Sequence, residues 1–316
     1  MDFLAQYGLF LLKALTLVAA LLLTIAGILA LGRKPKPTLE IISLNKQHEK
    51  TRQRMAHELR EEKPVKIKKK DQKKDKADKP FLYVLDFHGD IKASQVDQLR
   101  ETINAILTVV QEKDEVIVCL ESPGGMVNGY GLAASQLQRL RDRNIPLTVC
   151  IDKIAASGGY LMACVANKIV AAPFAIIGSI GVVAQLPNFH RWLKKNNIDF
   201  ELLTAGEHKR TLTLFGENTE KGREKFQEDL EKIHSAFRSY VLENRQQLDI
   251  DKVATGEHWL AKDAYDLRLV DTLKTSDDYI TAKLADFNAF KITSHVKKSF
   301  IEKLLKPATS LLNPWA

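Results

Sequence analysis

The chain has 316 residues, 45% of them hydrophobic, and a formal net charge of +8; this is enough length to enclose a core without covalent or metal staples. Its cysteines, Cys119, Cys150 and Cys164, are odd in number and lie in apolar runs, which argues against a disulfide framework or a metal cage and predicts buried packing thiols. The charge is local: residues 33–79 hold 17 Lys or Arg against 8 Asp or Glu, more than the whole chain's excess, so the rest offers no basic face for nucleic acid.

In chain order, residues 9–32 come first, with Lys13 their single charge, and residues 14–32 are uncharged for nineteen positions. As a helix, that run spans about 28 Å, close to the ~30 Å hydrocarbon core of a bilayer. Residues 1–32 are therefore expected to form a single-pass transmembrane anchor that holds the chain to membrane lipid. A cleavable signal peptide would have a shorter apolar region and a better cleavage site than Ala-Leu-Gly before Arg33. Residues 33–80 read as a basic, solvated tether, whose first half can hold a short helix with Met55 and Leu59 on one side. Because Arg33, Lys34 and Lys36 follow the apolar run, the positive-inside rule places the remainder in the cytoplasm.

From residue 81 to 285 strands and helices alternate. FLYVLDFHGDI, DEVIVCLES and IPLTVCIDKI read as strands, and SQVDQLRETINAILTVVQEK and NGYGLAASQLQRLRDRN as helices. This predicts an α/β domain with a mostly parallel sheet covered by helices. Residues 169–187 are also uncharged, but Pro173, Gly178, Ser179 and Gly181 interrupt any helix, so they read as strand, turn and strand within the core. A long amphipathic helix starts from an Asn cap after residue 217. The ATGEHWLAKDAYDLRLVDTL stretch gives a turn, a short helix and a closing strand. Residues 286–316 form an apolar-basic tail suited to a membrane surface or to packing on its own domain.

Two turns carry residues suited to chemistry. In ESPGGMVNG, residues 121–129, two glycines after a strand leave backbone amides unshielded, without the Lys of a phosphate-binding loop or the spacing of a dinucleotide fingerprint. In DKIAASGG, Ser157 falls between strand and helix, either as a nucleophile or as the small residue a tight helix start requires. Both turns leave a parallel sheet at one edge, where the amides of Gly125 and Gly158 can converge on the oxyanion of an acyl transfer. A serine needs a base. His190 with Asp199 offers one arrangement, and Lys209, provided that desolvation keeps its amine neutral, offers another.

SPGGMV, DKIAASGGYLMACVANKIVAAPFAIIGSIGVV, TAGEHKRTLTLFGENTEKGREKF and the ATGEHW…LVD stretch, in this order, resemble the signal peptide peptidase family of serine peptidases over nearly all of residues 80–285. The resemblance implies a ClpP/crotonase-like fold of stacked ββα units, with Ser157 as nucleophile and Lys209 as the base of a Ser–Lys dyad. It implies oxyanion amides at Gly125 and Gly158, Ser179 orienting the lysine, and no metal or cofactor. It further implies a bacterial inner-membrane endopeptidase facing the periplasm, in conflict with the charge rule above. Its substrates would be signal-peptide remnants or other short, apolar, extended peptides, and homo-oligomeric rings would share serine and lysine between adjacent copies. The alternatives are a crotonase-like acyl-CoA enzyme with the same oxyanion amides and a non-catalytic membrane scaffold.

Overall fold

The computed structural model describes residues 2–32, 37–60 and 79–296. They fall in two compact units, residues 1–38 with 295–316, and residues 39–294. In the first unit, α1 (Asp2–Gly32) exposes the apolar side chains Phe10, Leu17 and Leu21. Among the described residues no helix is long and apolar enough to cross a membrane; the described side chains of α1 end at Ile25, short of the uncharged run's end. The lysine-rich half of the expected tether, residues 61–78, and the end of the expected tail, residues 297–316, lie outside the described residues.

The second unit is built on a seven-stranded sheet. Its strands are β1 (Pro37–Ser43), β2 (Phe81–His88), β3 (Glu115–Glu121), β4 (Leu147–Ile151), β6 (Lys168–Ala171), β9 (Thr272–Leu273) and β10 (Asn288–Val296), in the order β1-β10-β2-β3-β4-β6-β9. From β10 to β9 every pairing is parallel, with Leu82 opposite Glu115, Val116 opposite Leu147 and Thr148 opposite Lys168. Strands covered on both faces lose the inside/outside alternation of an exposed sheet. Accordingly Val116, Ile117 and Val118 are consecutive and all fully buried.

Helices α3 (Val96–Ile106) and α4 (Val127–Arg141) cover one face; α4 turns Tyr130, Ala133, Ala134, Leu137 and Leu140 inward at helical spacing. On the other face α10 (Ser276–Lys283) lays Tyr279 and Ile280 over Leu82, Val84, Ile117, Cys150 and Val170. The helix foreseen around Met55 is α2 (Leu44–Arg60), and its Asn45 secures it to the sheet. The Asn45 amide donates to the carbonyls of Leu284 and Phe287, both at 3.0 Å, and its oxygen accepts the Ala289 N–H at 2.7 Å.

A second, three-stranded sheet joins β5 (Ile154–Ala156), β7 (Ile176–Gly178) and β8 (His258–Leu260), with β5 parallel and β8 antiparallel to β7. The chain steps from the large sheet to the small one twice, β4 to β5 and β6 to β7, so the uncharged run 169–187 supplies one strand to each. After β5 comes α5 (Gly158–Ala163), and beyond β7 lie α6 (His190–Lys195), α7 (Glu220–Asn244), α8 (Ile250–Val253) and α9 (Ala261–Asp266). Arg245, 3% exposed, closes the end of α7: its guanidinium donates to both carboxylate oxygens of Asp271 at 2.7 and 2.8 Å and to the Arg268 carbonyl at 2.9 Å. Asp271 also accepts the Ile169 N–H at 2.7 Å, so one ion pair joins α7, β6 and β9.

Several local expectations differ from the structure. Strand β1 falls in the stretch read as tether, and β10 in the stretch read as tail; β10 adds to the edge of β2 and β1 to the edge of β10, each a partner distant in sequence. The cap of α7 is Thr219, whose hydroxyl accepts the Gly222 N–H, and not Asn218. The Asn218 amide is already turned to Thr213, accepting its N–H at 2.8 Å and donating to its carbonyl at 3.1 Å. Strand β8 has only three residues, too few for a periodicity. The three cysteines are free, Cys150 and Cys164 buried and Cys119 half-buried.

Candidate functional site

The site begins where β3 and β5 run side by side. The Ser122 N–H donates to the Ile154 carbonyl at 2.8 Å and the Ala156 N–H to the Ser122 carbonyl at 3.0 Å, so the two turns after these strands are held together. Ser157 extends the β5–β7 ladder by one bond, its N–H donating to Gly178 at 2.8 Å, and its carbonyl then accepts the Leu161 N–H at 2.9 Å to open α5. Serving both strand and helix within one residue forces the backbone to φ 51° and ψ −118°. A non-glycine residue in such a region costs on the order of 1–3 kcal/mol, and strain of this kind gathers at functional sites. The Ser157 hydroxyl has no hydrogen-bond partner among the described residues.

Gly124 lies against Ser157 at φ +93°, and a methyl there would come within 2.7 Å of the Ser157 Cβ. A side chain at Gly158 would enter the Tyr130 ring, so the glycine that follows the serine is required by close packing. The Gly124 N–H is committed to Ser122 Oγ at 3.1 Å. The N–H groups of Gly125 and Gly158 are uncommitted among the described residues.

These groups line a cleft of about 1170 Å³. Its walls are α4, through Val127 and Ala134, and α7, through Leu230, His234 and Phe237, with Leu161 beside the serine and Val182 and Val183 at the far side. Such an apolar concavity with few polar groups converging at one point suits an extended, largely apolar ligand, and its amides suit a developing negative charge.

Of the residues singled out in the sequence, Ser157, Gly125, Gly158 and Ser179 line this one cleft. Ser179 stands at φ 53°, its N–H held by the Glu257 carbonyl at 2.6 Å. Lys209 is not among the lining residues. It is exposed in an irregular segment rather than beside a strand end, and its amine has no partner among the described residues. His190 and Asp199 do not line the cleft either; His190 opens α6, and Asp199 pairs with Lys194 at 3.1 Å.

Sequence reasoning missed Tyr130, Ser122 and His234. Tyr130 was legible only as an inward position of an amphipathic helix, and Ser122 only as the first letter of the Ser-Pro-Gly-Gly turn. His234 lies on the cleft wall and reaches the Ile180 carbonyl at 3.2 Å.

Comparison with known proteins gives a consistent family. The sequence pattern described as peptidase family S49 matches residues 139–289, and the one described as peptidase family S49 N-terminal matches residues 2–137. The chain is 47% identical to a probable protease SohB of Haemophilus influenzae, covering 97% of this chain and 93% of that one. It is 48% identical to a probable protease SohB of Buchnera aphidicola subsp. Schlechtendalia chinensis, covering 90% and 100%. Among solved structures it is similar to a 1510-N membrane-bound stomatin-specific protease at 17% identity and a TM-score of 0.43, over 65% of this chain and 84% of that one.

Proposed function

This chain belongs to peptidase family S49 and is a serine peptidase, and we propose that Ser157 is its nucleophile and Lys209 of a second copy its general base. The observation that carries the reading is the strained Ser157, whose unpartnered hydroxyl shares a cleft with the two uncommitted amides of Gly125 and Gly158. In this mechanism Ser157 Oγ attacks the peptide carbonyl carbon and loses its proton to the neutral Lys209 amine. The carbonyl oxygen becomes an oxyanion between the two glycine N–H groups. Lys209 returns the proton to the leaving amine, and water then hydrolyses the acyl-enzyme. Ser179, on the cleft wall, hydrogen-bonds and orients the incoming lysine.

A second copy enters because Lys209 is solvated and outside the cleft of its own chain, whereas a lysine base needs a dry setting. The segment carrying it also exposes large apolar side chains, with Leu203 91%, Trp192 61% and Phe200 44% exposed. Large apolar side chains left exposed along one segment suit an interface, and covering them would desolvate Lys209. The substrates are short, apolar, extended peptides such as signal-peptide remnants, which lie along Val182 and Val183 and pair by backbone. The uncharged residues 14–32 anchor the chain in a membrane.

A fluorophosphonate probe tests the nucleophile: it labels the full chain and fails to label Ser157→Ala. Labelling unchanged by that substitution overturns the assignment. Mixing tests the sharing: Ser157→Ala and Lys209→Met are each inactive alone, and together they regain activity through sites that combine one intact serine with one intact lysine. If the mixture stays inactive although the copies are co-assembled, the base belongs to the same chain as the serine.

A further inference from the structure

We infer that Ser122 and Tyr130 are positioning residues, a buried hydroxyl relay that holds the amides of Gly125 and Gly158 toward the oxyanion; the inference rests on the peptidase reading of Ser157 above. The relay has four members. The Gly124 N–H donates to Ser122 Oγ at 3.1 Å, Ser122 Oγ lies 2.5 Å from Tyr130 Oη, and the Tyr130 hydroxyl donates to the Asp90 carbonyl at 2.8 Å. A phenol carries one proton, and here it goes to Asp90. Ser122 is therefore the donor to Tyr130, and its own lone pair receives Gly124. Each hydroxyl donates once and accepts once, so the relay runs in a single direction.

Both residues have no solvent exposure. Removing either hydroxyl takes the hydrogen-bond partner from a buried neighbour, Ser122 Oγ in one case and the Gly124 N–H in the other. Burial also pushes the Tyr130 phenol above its ordinary pKa, which keeps the donor protonated. The acceptor is fixed as well: the Asp90 carboxylate takes the N–H groups of Lys92 at 3.1 Å and Ser94 at 2.8 Å, and also the Ser94 hydroxyl. On the far side of the turn the Met126 N–H is held by the Ile91 carbonyl at 2.8 Å.

The relay bears on both oxyanion amides. Holding the Gly124 N–H on Ser122 turns it away from the cleft and leaves the next amide, that of Gly125, uncommitted. The Tyr130 ring backs directly onto Gly158, where a Cβ would collide with it. One side chain thus references the two donors to each other. Donors of this kind accelerate the reaction only when they are fixed before the charge develops.

The test uses the full chain with Tyr130→Phe, which keeps the ring and loses the hydroxyl, and Ser122→Ala. Each is expected to slow fluorophosphonate acylation of Ser157 and to lower kcat by about 10- to 100-fold, with KM within about twofold, since a ground-state carbonyl depends little on the hole. A peptide aldehyde, which forms a tetrahedral adduct, is expected to bind more weakly in proportion to kcat/KM. The double variant is expected to fall no further than the worse single one, because both break the same relay. If Ser122→Ala does not fold, Tyr130→Phe alone decides the matter. An unchanged acylation rate in Tyr130→Phe, or a loss confined to KM, overturns the relay. Wild-type enzyme that never labels at Ser157 overturns instead the nucleophile reading beneath it.

Discussion

The floor of the cleft and the segment between residues 183 and 219 contrast in how each is held. On the floor, Ser122, Tyr130 and Gly158 are buried, and the Ser157 N–H and carbonyl, the Ala156 and Ser122 N–H groups and the Gly124 N–H each have a named partner. The 183–219 segment organises itself mainly by local contacts. Phe215 packs on Phe189 and Phe200 with centroids at 6.0 and 5.7 Å, and Asn188 donates to the carbonyls of Thr213 and Gly216, both at 3.0 Å. Its large side chains nevertheless stay exposed, Val183 at 81% and Leu203 at 91%. The nucleophile half of the site is over-determined within one chain, and the lysine half is not. On the proposed reading, burial by a second copy completes it.

The largest expected effect sharpens the rigid side of this contrast. Arg245→Ala empties a site whose side chain is 3% exposed and removes its charge-assisted hydrogen bonds to the part-exposed Asp271 and to the Arg268 carbonyl, and the expected loss is about 3–4 kcal/mol in urea unfolding from cavity and hydrogen bonds together; a loss below about 1 kcal/mol would show that the floor does not depend on this brace. Next, Gly124→Ala places a methyl against Ser157 at a positive φ. Acylation by a fluorophosphonate is expected to fall by about 10²- to 10³-fold, as on removing an oxyanion donor, while far-UV circular dichroism stays native. Leu203→Ser addresses the other side. It is expected to raise the dissociation constant of self-assembly about tenfold, in the range of a modest interface hot spot, with no loss of monomer stability, read by sedimentation at several concentrations. Assembly unaffected by this change would break the assignment of the segment to an interface. The smallest effect is Thr219→Ala, which removes the cap between the segment and α7 and is expected to cost about 1 kcal/mol in thermal unfolding, with acylation unchanged.

Much of the site was readable in advance, and unevenly. Strands β2, β3 and β4 announced themselves as apolar runs, and Ser157 was placed at a strand-to-helix turn, although the short β5 before it, a strand of the other sheet, was not foreseen. The Gly-Gly turn and the serine turn were expected at one edge of a single parallel sheet; they do come together, but Ser157 follows β5 of the small sheet, which a parallel bridge between Ser122 and Ala155 sets beside the end of β3. Lys209 was expected just past a strand end and instead lies in exposed irregular chain, since nothing local to TAGEHKRT distinguishes a strand end from a segment with no partner strand. The role of Tyr130 was invisible for a related reason: an inward tyrosine on an amphipathic helix reads as core, and its phenol's partners, Ser122 and Asp90, are 8 and 40 residues away.

Composition and local pattern by themselves determined the alternation of strands and helices, the burial of two of the three thiols, the small residues at both turns and the apolar run near the start. These follow from periodicity and from the steric needs of single residues. Tertiary structure alone decided that β1 and β10 complete the large sheet, that Ser157 is strained, which amides stay free, and that one chain's cleft does not include its own Lys209. Each of these depends on which distant segments share a ladder or a wall, and short-range sequence pattern carries no record of that pairing.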